Sequence, residues 1–166
     1  MASLDRAFRA LDRVFPARVA QAHCDIPCGI YDPVTAKIGA QTVLKMVMRI
    51  QAAGGASPSA SQAEREDYNN KVIRYTKVKE EHAEIVKNEL KTLWADYFKP
   101  EHVQKYPDLH ERFWKAEKLA GQNKQSVNLD AAKQLVAAVD DIAKIFWATK
   151  GVNDYEDKLA AVRFGS

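Results

Sequence analysis

Several features that would place this chain in other classes of protein are missing from its sequence. The 166 residues include only two cysteines, too few for the disulfide framework of a small secreted domain. No apolar run approaches the roughly 18 residues that a membrane-spanning helix needs. The formal net charge of +3 is too small to indicate a nucleic-acid partner. We therefore expect a single domain with no nucleic-acid partner and no membrane partner.

Glycine and proline are also scarce, which leaves long stretches without helix breakers. The chain has seven glycines and six prolines, and alanine, lysine, glutamate and glutamine are frequent, which favours helices. Four segments place apolar residues three or four positions apart, and short connections join them. This pattern predicts an all-α fold, an antiparallel up-and-down four-helix bundle over residues 34–150. The predicted helices run from Pro33 to Gly54, from about Glu64 to Tyr97, from about Pro107 to Gly121 and from about Leu129 to Lys150.

Both cysteines lie in one short segment, residues 23–33, which we call the hook. Cys24 and Cys28 are four positions apart, and His23 directly precedes the first of them. Thiolate and imidazole are ligands for borderline and soft divalent metals. Pro27 fixes its own φ and donates no backbone hydrogen bond, and Gly29 permits backbone angles closed to other residues. The segment is therefore expected to turn back on itself, so that both sulfur atoms can face one metal ion.

The hook resembles the N-terminal metal site of nickel-dependent superoxide dismutases. It follows that family's order His-Cys-Asp-hydrophobic-Pro-Cys-Gly-hydrophobic-Tyr-Asp-Pro at every position. The resemblance continues at residues 93–100, 105–110 and 144–150, and it covers roughly residues 23–150. It implies an enzyme that disproportionates superoxide to dioxygen and hydrogen peroxide by cycling nickel between divalent and trivalent states. It also implies a homohexamer of four-helix bundles with one nickel ion per subunit.

The resemblance further implies which residues bind the metal and which surround it. The ligands would be the amino nitrogen and imidazole of His23, the backbone nitrogen and thiolate of Cys24, and the thiolate of Cys28. The peptide bond between Ile26 and Pro27 would be cis. The other residues around the metal would each have a different role. Tyr31 would stand over the open face of the metal, Tyr97 would support it, Asp25 would shape the hook through backbone contacts, and Lys99 would help to attract the anionic substrate.

Two positions depart from the pattern of some family members. Those members have a glutamate at the position of Gly39 and an arginine at the position of His82, and the two together orient the axial histidine. A ligating imidazole normally has a partner that fixes its orientation. His82 lies on the apolar stripe of the second helix, where it either takes over that role alone or is a packed histidine of the core. His102 and His110 match scaffold positions and are interpreted as non-ligands.

Residues 1–22 are expected to be a removable leader. They place Phe8, Leu11, Phe15 and Val19 at helical spacing, but charged residues interrupt the apolar run that a secretory signal requires. The resemblance places the mature N-terminus at His23, which implies a maturation protease that cleaves between Ala22 and His23. We therefore expect a cytoplasmic protein. The alternative is that residues 1–22 form an ordinary N-terminal helix of the domain.

The sequence also leaves other interpretations open. Residues 151–166 form a C-terminal extension past the resemblance, to which no role is assigned, and a short helix or a disordered tail are both compatible with it. The two thiols could instead be a redox or structural pair, or part of a non-catalytic zinc-binding module. A closed zinc site needs four side-chain ligands, and the hook supplies three.

Overall fold

A computed structural model describes residues 30–152 of the chain. The leader, the hook residues 23–29 and residues 153–166 lie outside the described residues. Within 30–152 every regular element is a helix, as the all-α prediction requires. The elements are α1 (Val34–Ala53), α2 (Gln62–Thr92), a π-helical turn (Leu93–Tyr97), α3 (Pro100–Lys105), α4 (Leu109–Gln125) and α5 (Leu129–Thr149).

The four long helices form the predicted bundle. The helix α1 packs against α2, α2 against α4, α4 against α5, and α5 against α1. The helices α2 and α4 run antiparallel: Trp94, just after α2, packs against Phe113 near the start of α4, with ring centroids 5.2 Å apart. The apolar stripe predicted for the last helix is buried in full. Its residues are Ala132, Leu135, Val139, Ile142 and Phe146.

Helix boundaries differ from the prediction at three places. The helix α2 begins two residues earlier than predicted, because Ser61 and Glu64 form a reciprocal capping box. A short unpredicted helix, α3, lies in the connection that follows Pro100. The prediction that the third helix ends at Gly121 is wrong, since α4 continues to Gln125.

Contacts from other helices explain why α4 continues past its glycine. The side chain of Lys79 on α2 is 1% exposed, and its ammonium donates to the carbonyl oxygens of Asn123, Lys124 and Ser126. These carbonyls end α4, where the helix dipole favours a cation. Burial lowers the pKa of Lys79 from its ordinary value. The buried amide of Asn123 also donates to the carbonyls of Leu119 and Ala131 at 2.9 and 3.0 Å, which joins α4 to α5.

Gly39 sits where α1 and α2 approach most tightly, and replacing it tests that packing. A Cβ atom there would lie 2.8 Å from Cγ2 of buried Val86 and 3.2 Å from the carbonyl oxygen of His82. We expect Gly39→Ala to destabilise the bundle by about 1–2 kcal/mol in chemical denaturation, because overpacking outweighs the gain in helix propensity. Gly121→Ala is the matched control. It meets nothing within 4 Å and should stabilise by about 0.5–1 kcal/mol. A stabilising Gly39→Ala would contradict the tight approach.

No helix among residues 30–152 combines the length and the apolar character needed to cross a membrane.

Candidate metal centre and its tyrosine pair

The hook joins the bundle through a fixed entry into α1. The carboxylate of Asp32 accepts a hydrogen bond from the backbone N–H of Val34 at 2.8 Å, as expected of a residue that caps this helix. Pro33 is buried, and its carbonyl accepts the first helical hydrogen bond, from Lys37 at 3.0 Å. Asp32 and Pro33 therefore fix the start of α1, directly after the last residues of the hook.

The structure brings Tyr31 and Tyr97 together at this end of the bundle. Their ring centroids are 5.8 Å apart, with an angle of 58° between the ring planes. Tyr97 is the last residue of the π-helical turn, which closes with a bond from the Phe98 N–H to the Leu93 carbonyl at 3.1 Å. Single π-helical turns occur frequently at functional sites, because the extra residue redirects the side chains after it. The sequence predicted this pair, but it did not predict the π-helical turn.

Tyr97 is held on several sides by other residues. Its ring lies 4.5 Å from the ring of buried Phe146 and stacks on His102 at 5.7 Å and 17°. The ammonium of Lys150 lies 5.0 Å from its ring centroid, within the range of a cation–π contact. The Tyr97 hydroxyl lies 2.5 Å from Oγ1 of Thr149, the last residue of α5. Sequence reasoning missed Thr149 and Lys150, although both lie in the segment 144–150 that carries the family resemblance.

The two scaffold histidines have structural contacts. Nδ1 of His102 accepts a hydrogen bond from the backbone N–H of Lys99 at 3.1 Å, which caps the start of α3. His110 is exposed and its ring lies 5.3 Å from that of Trp94. The interpretation of both residues as non-ligands stays a prediction. Lys99 is exposed beside this end of the bundle, and its attraction of the substrate stays a prediction.

Gly39 and His82 face each other between α1 and α2. The Cβ position of Gly39 lies 3.2 Å from the His82 carbonyl oxygen, so the two backbones are in close contact. The ring of His82 is partly exposed, and its Nδ1 lies 2.9 Å from the carbonyl oxygen of Val78. Since a carbonyl can only accept, Nδ1 is the donor, which leaves Nε2 of the neutral ring as an acceptor. His82 can therefore receive a hydrogen bond from a second imidazole.

The predicted ligands His23, Cys24 and Cys28, together with Asp25 and Pro27, lie outside the described residues. Within residues 30–152, no three side chains of histidine, cysteine, aspartate or glutamate gather in a metal-binding cluster. The donor set of the hook itself fits nickel, because two thiolates and nitrogen donors suit the square-planar geometry of the divalent ion. The helical bundle, the tyrosine pair at one of its ends and the two thiols that precede α1 in the sequence together indicate the class of helical-bundle metalloproteins.

Comparisons with known proteins agree with that class. The family model of nickel-containing superoxide dismutase matches residues 18–150. The nickel superoxide dismutases of Streptomyces seoulensis and Streptomyces coelicolor are 38% and 36% identical over 141 residues, which is 84% of this chain and 98% of each relative. A native nickel superoxide dismutase structure, 35% identical, superposes with a TM-score of 0.65 over 78% of this chain and all of its own. The chain belongs to the nickel-containing superoxide dismutase family.

Proposed function

We propose that this chain, freed of residues 1–22, is a superoxide dismutase that uses nickel bound at the hook. Two superoxide anions and two protons give one dioxygen and one hydrogen peroxide. The observation that carries the proposal is the complete hook pattern at residues 23–33 within a family match that extends to residue 150. The contact between Tyr31 and Tyr97 where the hook enters the bundle supports it further.

The residues of the hook would divide the work of holding the metal. His23, Cys24 and Cys28 would bind one nickel ion per subunit, through the donors named above. When bound, nickel supplies one-electron chemistry between its divalent and trivalent states, and anionic sulfur ligands make the trivalent state accessible. Asp25 and Pro27 would fix the path of the backbone, so that the donors stay together while the metal charge changes.

The bundle contributes the walls of the site. Tyr31 would place its hydroxyl where a small anion or an ordered water molecule approaches the metal. Tyr97 would keep the Tyr31 ring in place, because Tyr97 is itself packed against Phe146 and His102. Lys99 would raise the local concentration of superoxide through its charge, an effect that salt should screen.

His82 would orient the imidazole of His23 without the glutamate and arginine of other family members. An imidazole that binds a metal needs an acceptor for its other ring N–H. Gly39 has no side chain to accept this hydrogen bond, whereas Nε2 of His82 has a free acceptor position when Nδ1 donates to Val78. In this chain the acceptor would thus come from His82 on α2 instead of from a side chain at position 39 on α1.

We expect His82→Ala to lower superoxide turnover per nickel about tenfold with nickel content unchanged, because orientation is lost but no ligand is. The axial nitrogen signal of the oxidised metal should change in the electron paramagnetic resonance spectrum. His110→Ala is the control histidine and should leave both measurements unchanged. A His82→Ala variant that melts earlier but keeps its turnover and spectrum would identify His82 as a packing residue only.

The proposal extends to assembly and maturation. Ile30, Val34 and Ile38 follow one another at intervals of four residues and are 77%, 39% and 49% exposed, which supports subunit contacts near the start of α1. The proposed number of six subunits comes from the family resemblance. Charged residues interrupt the apolar run of residues 1–22, which supports a cytoplasmic chain, and the family resemblance of the hook supports a maturation protease that cuts before His23. The protein would then need no export step to acquire its metal.

Metal analysis tests this function against the alternative of a non-catalytic thiol or zinc module. A chain that starts at His23 should retain about one nickel per subunit after dialysis and should consume superoxide catalytically. The same chain offered zinc and nickel together should hold nickel in its active fraction. Tight zinc binding with no superoxide consumption under either metal would favour the non-catalytic module.

A further inference from the structure

The hydroxyl of Thr149 forms two hydrogen bonds, and together they fix where the hydroxyl of Tyr97 points its proton. Oγ1 of Thr149 lies 2.6 Å from the carbonyl oxygen of Phe146, one turn earlier in α5. The same oxygen lies 2.5 Å from the hydroxyl oxygen of Tyr97. A carbonyl oxygen has no proton, so the single proton of Thr149 must point to Phe146. The bond between Tyr97 and Thr149 can then form only if Tyr97 is the donor.

The surrounding contacts leave Tyr97 little freedom to break this arrangement. Its ring lies between Phe146 and His102 and under the ammonium of Lys150. The partners in the bond are 52 residues apart, so the bond also connects the π-helical turn to the end of α5. A side chain that packing and a directed hydrogen bond both restrain is preorganised for its role in a site.

We propose that Thr149 is a positioning residue of the dismutase site. Its Oγ1 accepts a hydrogen bond from the Tyr97 hydroxyl and so directs that proton toward α5. The oxygen of Tyr97 then offers only lone pairs to its other neighbours. It can accept a hydrogen bond from a hydroxyl group, a water molecule or the protonated product, but it donates none. Protons for peroxide must therefore come from a group other than Tyr97. The catalytic meaning of this inference rests on the proposed function, whereas the direction of the hydrogen bond does not.

The hydrogen-bond direction can be tested on metal-free protein by two substitutions of Thr149. Thr149→Val keeps the shape of the side chain and removes the acceptor, and Thr149→Ser keeps the hydroxyl. In proton NMR, the natural chain and Thr149→Ser should show a slowly exchanging tyrosine hydroxyl proton close to the β-proton of residue 149. That signal should be absent in Tyr97→Phe, which assigns it, and in Thr149→Val. A signal that persists in Thr149→Val, or that is missing from the natural chain, would overturn the proposal.

Turnover of the nickel-loaded chain tests the positioning role. Thr149→Val should lower superoxide turnover per nickel about threefold to tenfold, the effect of one lost hydrogen bond, and Thr149→Ser should stay within about twofold. The double variant with Tyr97→Phe should be no slower than the slower single variant, since both changes remove the same interaction. Losses that multiply would show independent effects and would overturn the positioning role. These variants are made in the chain that begins at His23. If that chain and all of its variants fail to consume superoxide, the proposed function fails, while the NMR result still decides the hydrogen bond.

Discussion

A chain that begins at Met1 should fold but show no superoxide dismutase activity, whereas a chain that begins at His23 should be active. With the leader attached, the nitrogen of His23 is part of a planar peptide group, and its lone pair is delocalised into the carbonyl of Ala22. After cleavage the nitrogen is an amine, and an ordinary α-amino group has a pKa of about 7.7–8.0, which leaves a neutral fraction for metal binding at cellular pH. One peptide bond thus separates a poor ligand from a good one.

A chain that begins at Ala22 separates loss of the amine from obstruction by the leader. It carries a single residue ahead of His23, so it should be nearly as inactive as the full chain. The three chains should give similar circular dichroism spectra, because all three contain the helices and the buried core described within residues 34–149. Superoxide loss per bound nickel is the quantity to compare. Equal activity from all three would show that the terminal amine is not a ligand.

Replacing either cysteine should have an equally large effect through a different donor. We expect Cys24→Ser or Cys28→Ser to lose nickel on dialysis and to lower superoxide turnover by more than about a hundredfold. Replacing a residue that only orients a metal ligand already lowers activity by up to about a hundredfold, and loss of the ligand itself should cost more. A serine hydroxyl is a hard and weak ligand compared with a thiolate, and it does not stabilise trivalent nickel. The sequence has no third cysteine that could take over.

The control for the cysteine variants is the integrity of the bundle. Both cysteines lie ahead of α1, and the buried residues of the described core cluster lie between Ala36 and Phe146. The serine variants should therefore keep the helical circular dichroism signal and the unfolding midpoint of the metal-free natural chain. A serine variant that retains nickel and full turnover would refute its assignment as a ligand.

The fold could be predicted from the sequence because each long helix carries an apolar stripe that has to be buried. The stripes on α1 and α5 needed no information beyond spacing. The end of α4 could not be predicted in this way. It depends on Lys79, which reaches the carbonyl of Asn123 from 44 residues away, and local periodicity carries no trace of that bond. Gly121 therefore indicated a helix end that the tertiary structure overrides.

The residue types of the hook indicated metal chemistry, but the sequence contained less information on the residues that hold Tyr97 in place. The thiols and the imidazole of the hook indicated a metal from residue type and order alone. The pairing of Tyr31 with Tyr97 came from family resemblance, since no spacing rule joins a residue ahead of α1 to one in the turn that follows α2. Thr149 was missed because a threonine at the end of a helix is unremarkable until the partner of its hydroxyl is known. The π-helical turn that aims Tyr97 has no signature in the sequence.

The most direct test of a nickel enzyme at the hook is the rate of superoxide decay as a function of nickel bound to the chain that begins at His23. Stopped-flow decay curves would be recorded at increasing nickel content, with zinc-loaded protein as the matched control. The decay rate should rise in proportion to bound nickel and reach its maximum near one nickel per subunit. In the zinc-loaded protein it should equal the rate of uncatalysed decay. A decay rate that does not depend on nickel content, or that survives with zinc alone, would contradict a nickel enzyme at the hook.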